Sequence, residues 1–584
     1  MVQRDRLITI AGWAAFAFAC SAFFLPVINP DIFWHLSAGK YALAHLGPPR
    51  ADFLSWTLPG AEWYDFEWLP QIFYYLLHKA GGFKALLFFK AALLALTLLV
   101  FRSIALLYGR RAALPLALPF FAAAIITNSD LRPENFSLLF FALELYFLER
   151  RRLGLLPGGA PLLAAAAAFF CVWANIHAGY MYGLALAGLY AAGEFFAEEL
   201  PYIYGKSGFV RPTGSFAYLW VFCAGFAASL VNPYGWKIYA VIANHQKHIN
   251  TLQEYIQEWN TFDLMNIYQW PYVLALAGVL GSFAFFVLKR RHAVYSHFAC
   301  LLFFVWASAN HARHIPFFII TGLTFTLALP WQDIKVGGRR LAQAAGAAAV
   351  LILWFYGGSV WTQYTGKATG FRWGSDGLAS FLRVNKAELS GLRVFNPWGW
   401  GGWLGWTLAP DYKVFVDGRY LFHDKIAEVV DVRESPAKWE ELIRKYRFDL
   451  MLIQLDEPKV PVKQRLANGR EIMFWRPAYM YYLPRREWAV VYWDNGVAAL
   501  VRRSAADPRW LAEHEYRYLR PGDTLNLVEP ALAGQVPLSA LRAEMVRYLK
   551  NHEAGHETSL NSGVISFMRG MEALCARKES RCAD

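Results

Sequence analysis

The reactive side chains of this sequence are concentrated where its long apolar runs stop. The densest stretch, Asn29 to Gly82, carries Asp31, His35, Lys40, Arg50, Asp52, Asp65 and Glu67. His35 follows Asp31 by four residues, so a helix there presents both on one face. Asp65 and Glu67 open a second, aromatic segment, EWYDFEWLPQIFYYLLHK. Later stretches repeat the pattern: NSDLRPEN with Asp130, Arg132 and Glu134; WANIHAGY with Asn175 and His177; VNPYGW and then IQEWN with Asn232, Glu258 and Trp259; and NHARHIP with His311, Arg313 and His314. A carboxylate can take a proton from a hydroxyl. Arg132 and Arg313, with Lys40, His177 and His314, suit an anionic group such as a phosphate. Taken singly, each residue has a plain structural reading. Asp31 can cap a helix, a lone histidine on an apolar face is usually structural, and Trp34, Trp63 and Trp68 can form an interfacial belt. Together they imply a shared cavity, because ionisable groups against hydrocarbon are costly and usually functional.

The elements that must position these residues are membrane helices. The chain is 56% hydrophobic and only 17% charged, where a soluble domain carries about a quarter charged residues. About eleven apolar runs fall near 7–27, 83–107, 112–127, 135–148, 159–176, 179–197, 214–231, 270–288, 293–309, 315–330 and 341–361. Basic residues cluster after alternate runs: Arg4 and Arg6 before the first, then Arg110 and Arg111, Arg150 to Arg152, Lys206 and Arg211, Lys289 to Arg291, and Lys335 with Arg339 and Arg340. The expected topology therefore has a cytoplasmic N-terminus, and an odd span count sends residues from about 362 outside. The first run lacks a small-residue cleavage site and reads as a retained helix. The formal charge of +13 is largely this loop signal, so nucleic-acid binding is not implied.

The order of these motifs resembles the GT-C glycosyltransferases, multispan enzymes that take a sugar from a polyprenyl-phosphate donor on the outer face of a membrane. PDIFWHLSAGKYALAHLGPPRADFLSW followed by EWYDFEWL is similar to a bacterial group with a D-x-W-W-H-L first-loop motif. RPENFSLL, WANIHAGY, VNPYGW, HARHIPFF and FNPWGWGGWLGWTL with VFVDGR match later parts of that group, over about residues 1–450. The resemblance implies a catalytic carboxylate at Asp31 and puts Glu67 on the donor side, with His35 and Asp65 beside them in the first-loop site. Where relatives read H-E-W-L this chain has Phe66-Glu67-Trp68-Leu69. It also lacks the K-P-P of protein mannosyltransferases and aminoarabinose transferases, so those activities are not implied.

The implied reaction transfers a sugar from a polyprenyl-phosphate-linked donor to an acceptor hydroxyl with inversion, Asp31 acting as general base. The acceptor is a lipid, a protein or a polysaccharide. No cofactor is required and no metal site is assigned, although a divalent cation between Asp31 and Glu67 is conceivable. A lipid or saccharide transporter and a non-catalytic membrane scaffold are the alternatives. The expected location is the bacterial cytoplasmic membrane, with the C-terminal part extracytoplasmic.

The expected fold is a mainly α membrane protein with three parts. Residues 1–365 form a polytopic GT-C-like helical bundle, with a first outer loop over 28–82 holding two interfacial helices. Residues 366–503 form an exported α/β domain, with strands near 392–396, 413–417, 449–455 and 489–501 and helices near 375–389 and 436–446. Residues 504–584 form a helical tail. Asp417 and Arg419 read as a local ion pair, and GWGGWLGW as a close-packed loop more than a sugar-stacking one. His552-Glu553-Ala554-Gly555-His556 fits H-E-x-x-H, but its glycine and missing third ligand mark it as a coincidence. Cys20, Cys171, Cys223 and Cys300 read as small core residues. Cys575 and Cys582 are compatible with a disulfide that spacing does not settle.

Overall fold

The computed structural model describes residues 2–199, 216–290, 294–334, 338–371, 375–455, 459–465, 471–494, 496–527, 530, 536–554, 566–567 and 569–573. Lys206, Arg211, Arg291, Lys335, His556, Cys575 and Cys582 lie outside them. The chain divides into two compact units, one of residues 1–50 and 64–370 and one of 51–63 and 371–584. The first loop, expected to belong wholly to the membrane part, is divided: Ala51–Trp63 belong with the C-terminal unit.

In the first unit each of the eleven apolar runs coincides with a helix. The helices that frame the site are α1 (Val2–Ser21), α2 (Asp31–His45), α3 (Trp68–Leu107), α4 (Leu114–Ala124), α5 (Glu134–Arg152), α6 (Ala160–Ala174) and α7 (Tyr180–Glu194). Others follow at Ala217–Ser229, Trp270–Arg290, Tyr295–Asn310, Ile315–Ala328 and Gly338–Phe355. Among the described residues, four segments are long and apolar enough to cross a membrane by length and composition: Gln3–Phe24, Trp68–Leu107, Ile267–Lys289 and Arg339–Gln363. Helix starts follow local rules. Pro115, Pro161 and Pro316 sit in first turns, where a missing N–H has no partner to lose. α5 ends on Arg150, Arg151 and Arg152, cations that suit the negative end of its dipole.

α3 is two helices joined at Gly81 and Gly82. Gly82 has φ of +60° and ψ of −153°, a conformation open to glycine and little else. The break separates the aromatic segment expected in the interface from the apolar run 83–107. α2 packs closely on the first half of α3. A Cβ on Gly39 would collide with the backbone carbonyl of Gln71. The core of the unit runs through Leu94, Leu98, Phe101, Phe121, Phe141 and Phe318, all buried. Phe101 and Phe121 stack with ring centroids 4.6 Å apart.

The second unit is built on a sheet of order β1-β2-β6-β5, formed by β1 (Val394–Phe395), β2 (Leu450–Gln454), β5 (Trp488–Trp493) and β6 (Val497–Arg502). β1 runs parallel to β2, and β6 is antiparallel to both β2 and β5. The strands read LMLIQ, WAVVYW and VAALVR and are buried along nearly their whole length, as unbroken apolar runs covered on both faces should be. A separate hairpin pairs β3 (Lys459–Arg465) with β4 (Glu471–Pro477). Residues 413–417, expected as a strand, make an isolated parallel bridge from Val414 to Ser55, and the expected strand 489–501 is the β5–β6 hairpin. The expected helices appear at Asp376–Val384 and Pro436–Tyr446.

The described residues beyond 503 do not form a separate tail. Tyr516, Leu519, Leu541 and Tyr548 join one hydrophobic core with Trp488 and Leu500 of the sheet, and Tyr548 lies 4.3 Å from Trp493 between ring centroids. The glycine and tryptophan motif is close-packed: Trp400 and Trp403 are buried, and a Cβ on Gly401 would strike the Val416 carbonyl. Arg419 pairs with Asp417 and also with Asp52 of the first-loop segment, each at 2.7 Å and all three buried. Its guanidinium lies 4.6 Å from the centre of the Trp63 ring. Cys20, Cys171, Cys223 and Cys300 are free thiols.

Candidate active site

The segment between α1 and α2 delivers Asp31, and several contacts fix it. Lys90 Nζ, buried on α3, donates to the Leu25 carbonyl at 2.6 Å. Val27 forms a short parallel bridge with Thr369. Asp130 Oδ2 accepts from the N–H groups of Ile28 and Asn29 at 3.1 and 2.7 Å, and Asn29 Oδ1 accepts from the Asp31 N–H at 2.8 Å. Asn29 thus takes on a first-turn donor of α2, the task foreseen for Asp31. Asp31 itself is the first residue of α2 and is half-buried.

The loop before α3 adds Asp65 and Glu67. Asp65 is buried and accepts from Gln71 Nε2 at 2.7 Å. Glu67 precedes α3 without capping it through its side chain, and its Oε1 faces His177 Nε2 at 3.7 Å. Trp68 Nε1 donates to Asn175 Oδ1 at 3.2 Å, tying this corner to the loop between α6 and α7. His177 comes from that loop. Its Nδ1 accepts from the Gly179 N–H at 2.9 Å and lies 2.9 Å from Ser137 Oγ, which itself accepts from Trp173 Nε1. With Nδ1 an acceptor, the ring proton sits on Nε2, towards Glu67.

Arg132, between α4 and α5, forms an ion pair with Glu258. Arg313 lies 3.9 Å from Glu134 and 4.4 Å from the centre of the Trp259 ring. His314 is held at both nitrogens, by the Ala307 carbonyl at 3.2 Å and by the Tyr182 hydroxyl. It therefore braces the loop and offers nothing to a phosphate. His311 is tied to the Trp259 carbonyl at 2.8 Å.

Electrostatics bind these residues into one site. Burial, then the charges of Asp65 and Asp31, hold the Glu67 carboxyl well above the usual carboxylate range, with Arg313 acting the other way. Burial, then Arg313, Arg132 and His245, lower His177 to about 3. Burial, then Arg132 and His177, push His35 well below its ordinary value. Burial opposes the charge on Arg132, but Glu258 and Asp31 more than offset it and raise its pKa. Two guanidiniums and Asp31 thus act on the same buried group of side chains, in which the charged forms of His35 and His177 and of the Glu67 carboxyl are all disfavoured.

Asp31, His35, Asp65, Glu67, Arg132, His177 and Arg313 are therefore brought together, and Lys40 is not. Nine residues along α2 from Asp31, Lys40 falls on the opposite face and is exposed. His177 contributes as a neutral ring, not as the cation expected for a phosphate. The partners absent from the sequence-derived site are Glu134 and Glu258, which neutralise the arginines, and Asp130 and Ser137, which hold Asp31 and His177 in place. Their motifs carried the only signal, an acid within two residues of Arg132 on either side. Among the described residues, no three His, Cys, Asp or Glu side chains are grouped to hold a metal ion.

No family model matches the chain, and no curated protein sequence does either. Solved structures share its fold. The oligosaccharyltransferase AglB of the archaeon Archaeoglobus fulgidus, solved in complex with an inhibitory peptide and a dolichol-phosphate, aligns over 98% of this chain and 87% of its own at TM-score 0.55 and 12% identity. An apo crystal structure of the Archaeoglobus fulgidus oligosaccharyltransferase aligns over 96% and 86% at TM-score 0.52 and 10% identity. The likeness shows that this chain shares the fold of these oligosaccharyltransferase structures.

Proposed function

We propose that this chain is a membrane glycosyltransferase that moves a sugar from a polyprenyl-phosphate-linked donor to an acceptor hydroxyl. One observation carries the reading. In a fold shared with an oligosaccharyltransferase solved with dolichol-phosphate, Asp31 is pinned beside Arg132 and Glu67 at the end of the helical bundle. Asp31, as carboxylate, takes the proton of the acceptor hydroxyl. The acceptor oxygen attacks the anomeric carbon from the face opposite the phosphate, so configuration inverts. The bond from that carbon to the phosphate oxygen breaks, and its electron pair leaves with the lipid phosphate. Arg132 and Arg313 stand ready to balance the developing charge, each already fixed by a carboxylate and, for Arg313, an indole. Lys40 has no part in this step. The acceptor is a lipid, protein or polysaccharide hydroxyl. The proposed setting is the bacterial cytoplasmic membrane, with a cytoplasmic N-terminus and the site on the outer side.

Asp31→Asn is the direct test. In proteoliposomes supplied with a polyprenyl-phosphate sugar, transfer should fall by about 10²- to 10⁴-fold, the usual worth of a general base, while donor binding persists. Undiminished turnover rejects the assignment. Movement of the lipid-linked sugar across the bilayer without a new glycosidic bond would favour a transporter.

A further inference from the structure

The far end of α5 carries a second polar centre that the proposed reaction does not use. Glu149 lies fifteen residues beyond Glu134, about 22 Å along the helix. Its carboxylate is saturated: Tyr108, Tyr190, His297 and Arg152 all converge on it, His297 Nε2 and Arg152 Nε both at 3.0 Å. Beside it opens a cavity of about 300 Å³ lined by Arg110, Arg152, His297 and Gln332 together with apolar groups such as Phe283 and Leu329.

The two arginines differ in what balances them. Arg152 is matched by Glu149. Arg110 meets only neutral acceptors: Nε donates to the Leu327 carbonyl at 2.9 Å, and Nη2 to the Leu329 carbonyl at 2.5 Å and to Gln332 Oε1 at 3.2 Å. Among the described residues no carboxylate pairs with Arg110, and none lines the cavity. Among the described residues, the hydrogen bonds of both arginines run from Nε and Nη2 and leave Nη1 without one. An uncompensated guanidinium at the wall of a cavity favours an anion, and its planar donor fork suits phosphate oxygens. The apolar half of the lining would be wasted on a bare ion but fits the first carbons of a lipid chain.

We propose that this cavity binds a phosphate-bearing anion, with the phosphate of an anionic lipid headgroup between Arg110 and Arg152 and its glycerol and acyl end against Phe283 and Leu329. On the topology proposed above, this is the cytoplasmic leaflet, where basic pockets between helices take up anionic headgroups. The site is distinct from the Asp31 cluster and does not depend on what that cluster does.

The test uses the full chain in detergent, with thermal unfolding followed on addition of phosphatidylglycerol, phosphatidylcholine or inorganic phosphate. Phosphatidylglycerol should stabilise in a dose-dependent way and phosphatidylcholine should not. Arg110→Gln should weaken the apparent affinity for phosphatidylglycerol at least tenfold. Because Arg110 also binds the carbonyls ending the helix Ile315–Ala328, that variant probes fold and site together. Gln332→Glu keeps the helix contacts, supplies Arg110 with a carboxylate, and should cause a similar loss. Arg132→Gln, at the other end of the bundle, should leave the phosphatidylglycerol effect unchanged. Stabilisation by inorganic phosphate alone, abolished by Gln332→Glu, retains the anion site and assigns it to a soluble phosphate. Equal stabilisation by phosphatidylcholine, an effect lost only in Arg132→Gln, or full phosphatidylglycerol binding by Gln332→Glu overturns the proposal.

Discussion

Glu67 and His177 face each other at 3.7 Å, too far for a direct hydrogen bond, and burial pushes the carboxyl up and the imidazole down. The histidine makes a measurable consequence. In the unfolded chain its ring protonates near 6.5, and in the folded chain only near 3. Between those values the unfolded state binds the extra proton, so the folded state loses stability as pH falls from 6.5 towards 3 and regains it as pH rises. The slope is at most about 1.4 kcal/mol per pH unit. His177→Gln cannot titrate, so its unfolding temperature should fall less steeply between pH 6.5 and 4 than that of the parent. Equal slopes in the two proteins would refute the assignment. The same scale explains the misreading of Lys40. A charge nine residues along a helix faces away from its start, a fact legible in the spacing. The pairing of Arg132 with Glu258 was not legible, because those residues come from different loops and no local pattern links them.

At the scale of elements, hydropathy is a local property, which is why every apolar run found its helix and why Gly81-Gly82 marked the break in α3. What sequence alone left open was how loops hold one another. The strand expected at 413–417 is a case: its β-branched and aromatic residues have one bridge partner, Ser55, which lies in the first loop. The segment before α2 is another. Asp130 from the α4–α5 loop fixes the backbone that presents Asp31. Asp130→Ala should reduce turnover about tenfold or more through misplacement of Asp31, and stability by about 1.5–3 kcal/mol for the charge-assisted bonds lost. Steady-state kinetics beside thermal unfolding separates the two effects. Turnover equal to the parent would mean that the linker needs no such clamp. Gly39 sets a similar constraint between α2 and α3, because no side chain fits against the Gln71 carbonyl.

For the whole molecule, the C-terminal unit cannot be understood from its own stretch of sequence. Asp52 enters it from the first loop to share Arg419 with Asp417. Asp52→Ala would leave that buried guanidinium short of a partner, a change of about 3–5 kcal/mol. Limited proteolysis should then cut the C-terminal unit at lower temperature than in the parent. Resistance equal to the parent would reduce the triad to a contact of no energetic weight. The proposed topology has its own check: in a background lacking native cysteines, Leu155→Cys should be shielded from a membrane-impermeant maleimide in intact cells, and Val384→Cys should react. Reversal of that pattern inverts the orientation. The borrowed segment also sets a timetable for biogenesis. Thr57 bonds the Phe415 carbonyl across 358 residues of chain. At ribosomal speeds of about 5–20 residues per second, that interval is roughly 20–70 s. For that time Ala51–Trp63, with Trp56 and Trp63, waits for a scaffold not yet translated. A nascent chain stalled before Phe415 therefore strands two indoles and an aspartate without the partners that bury them.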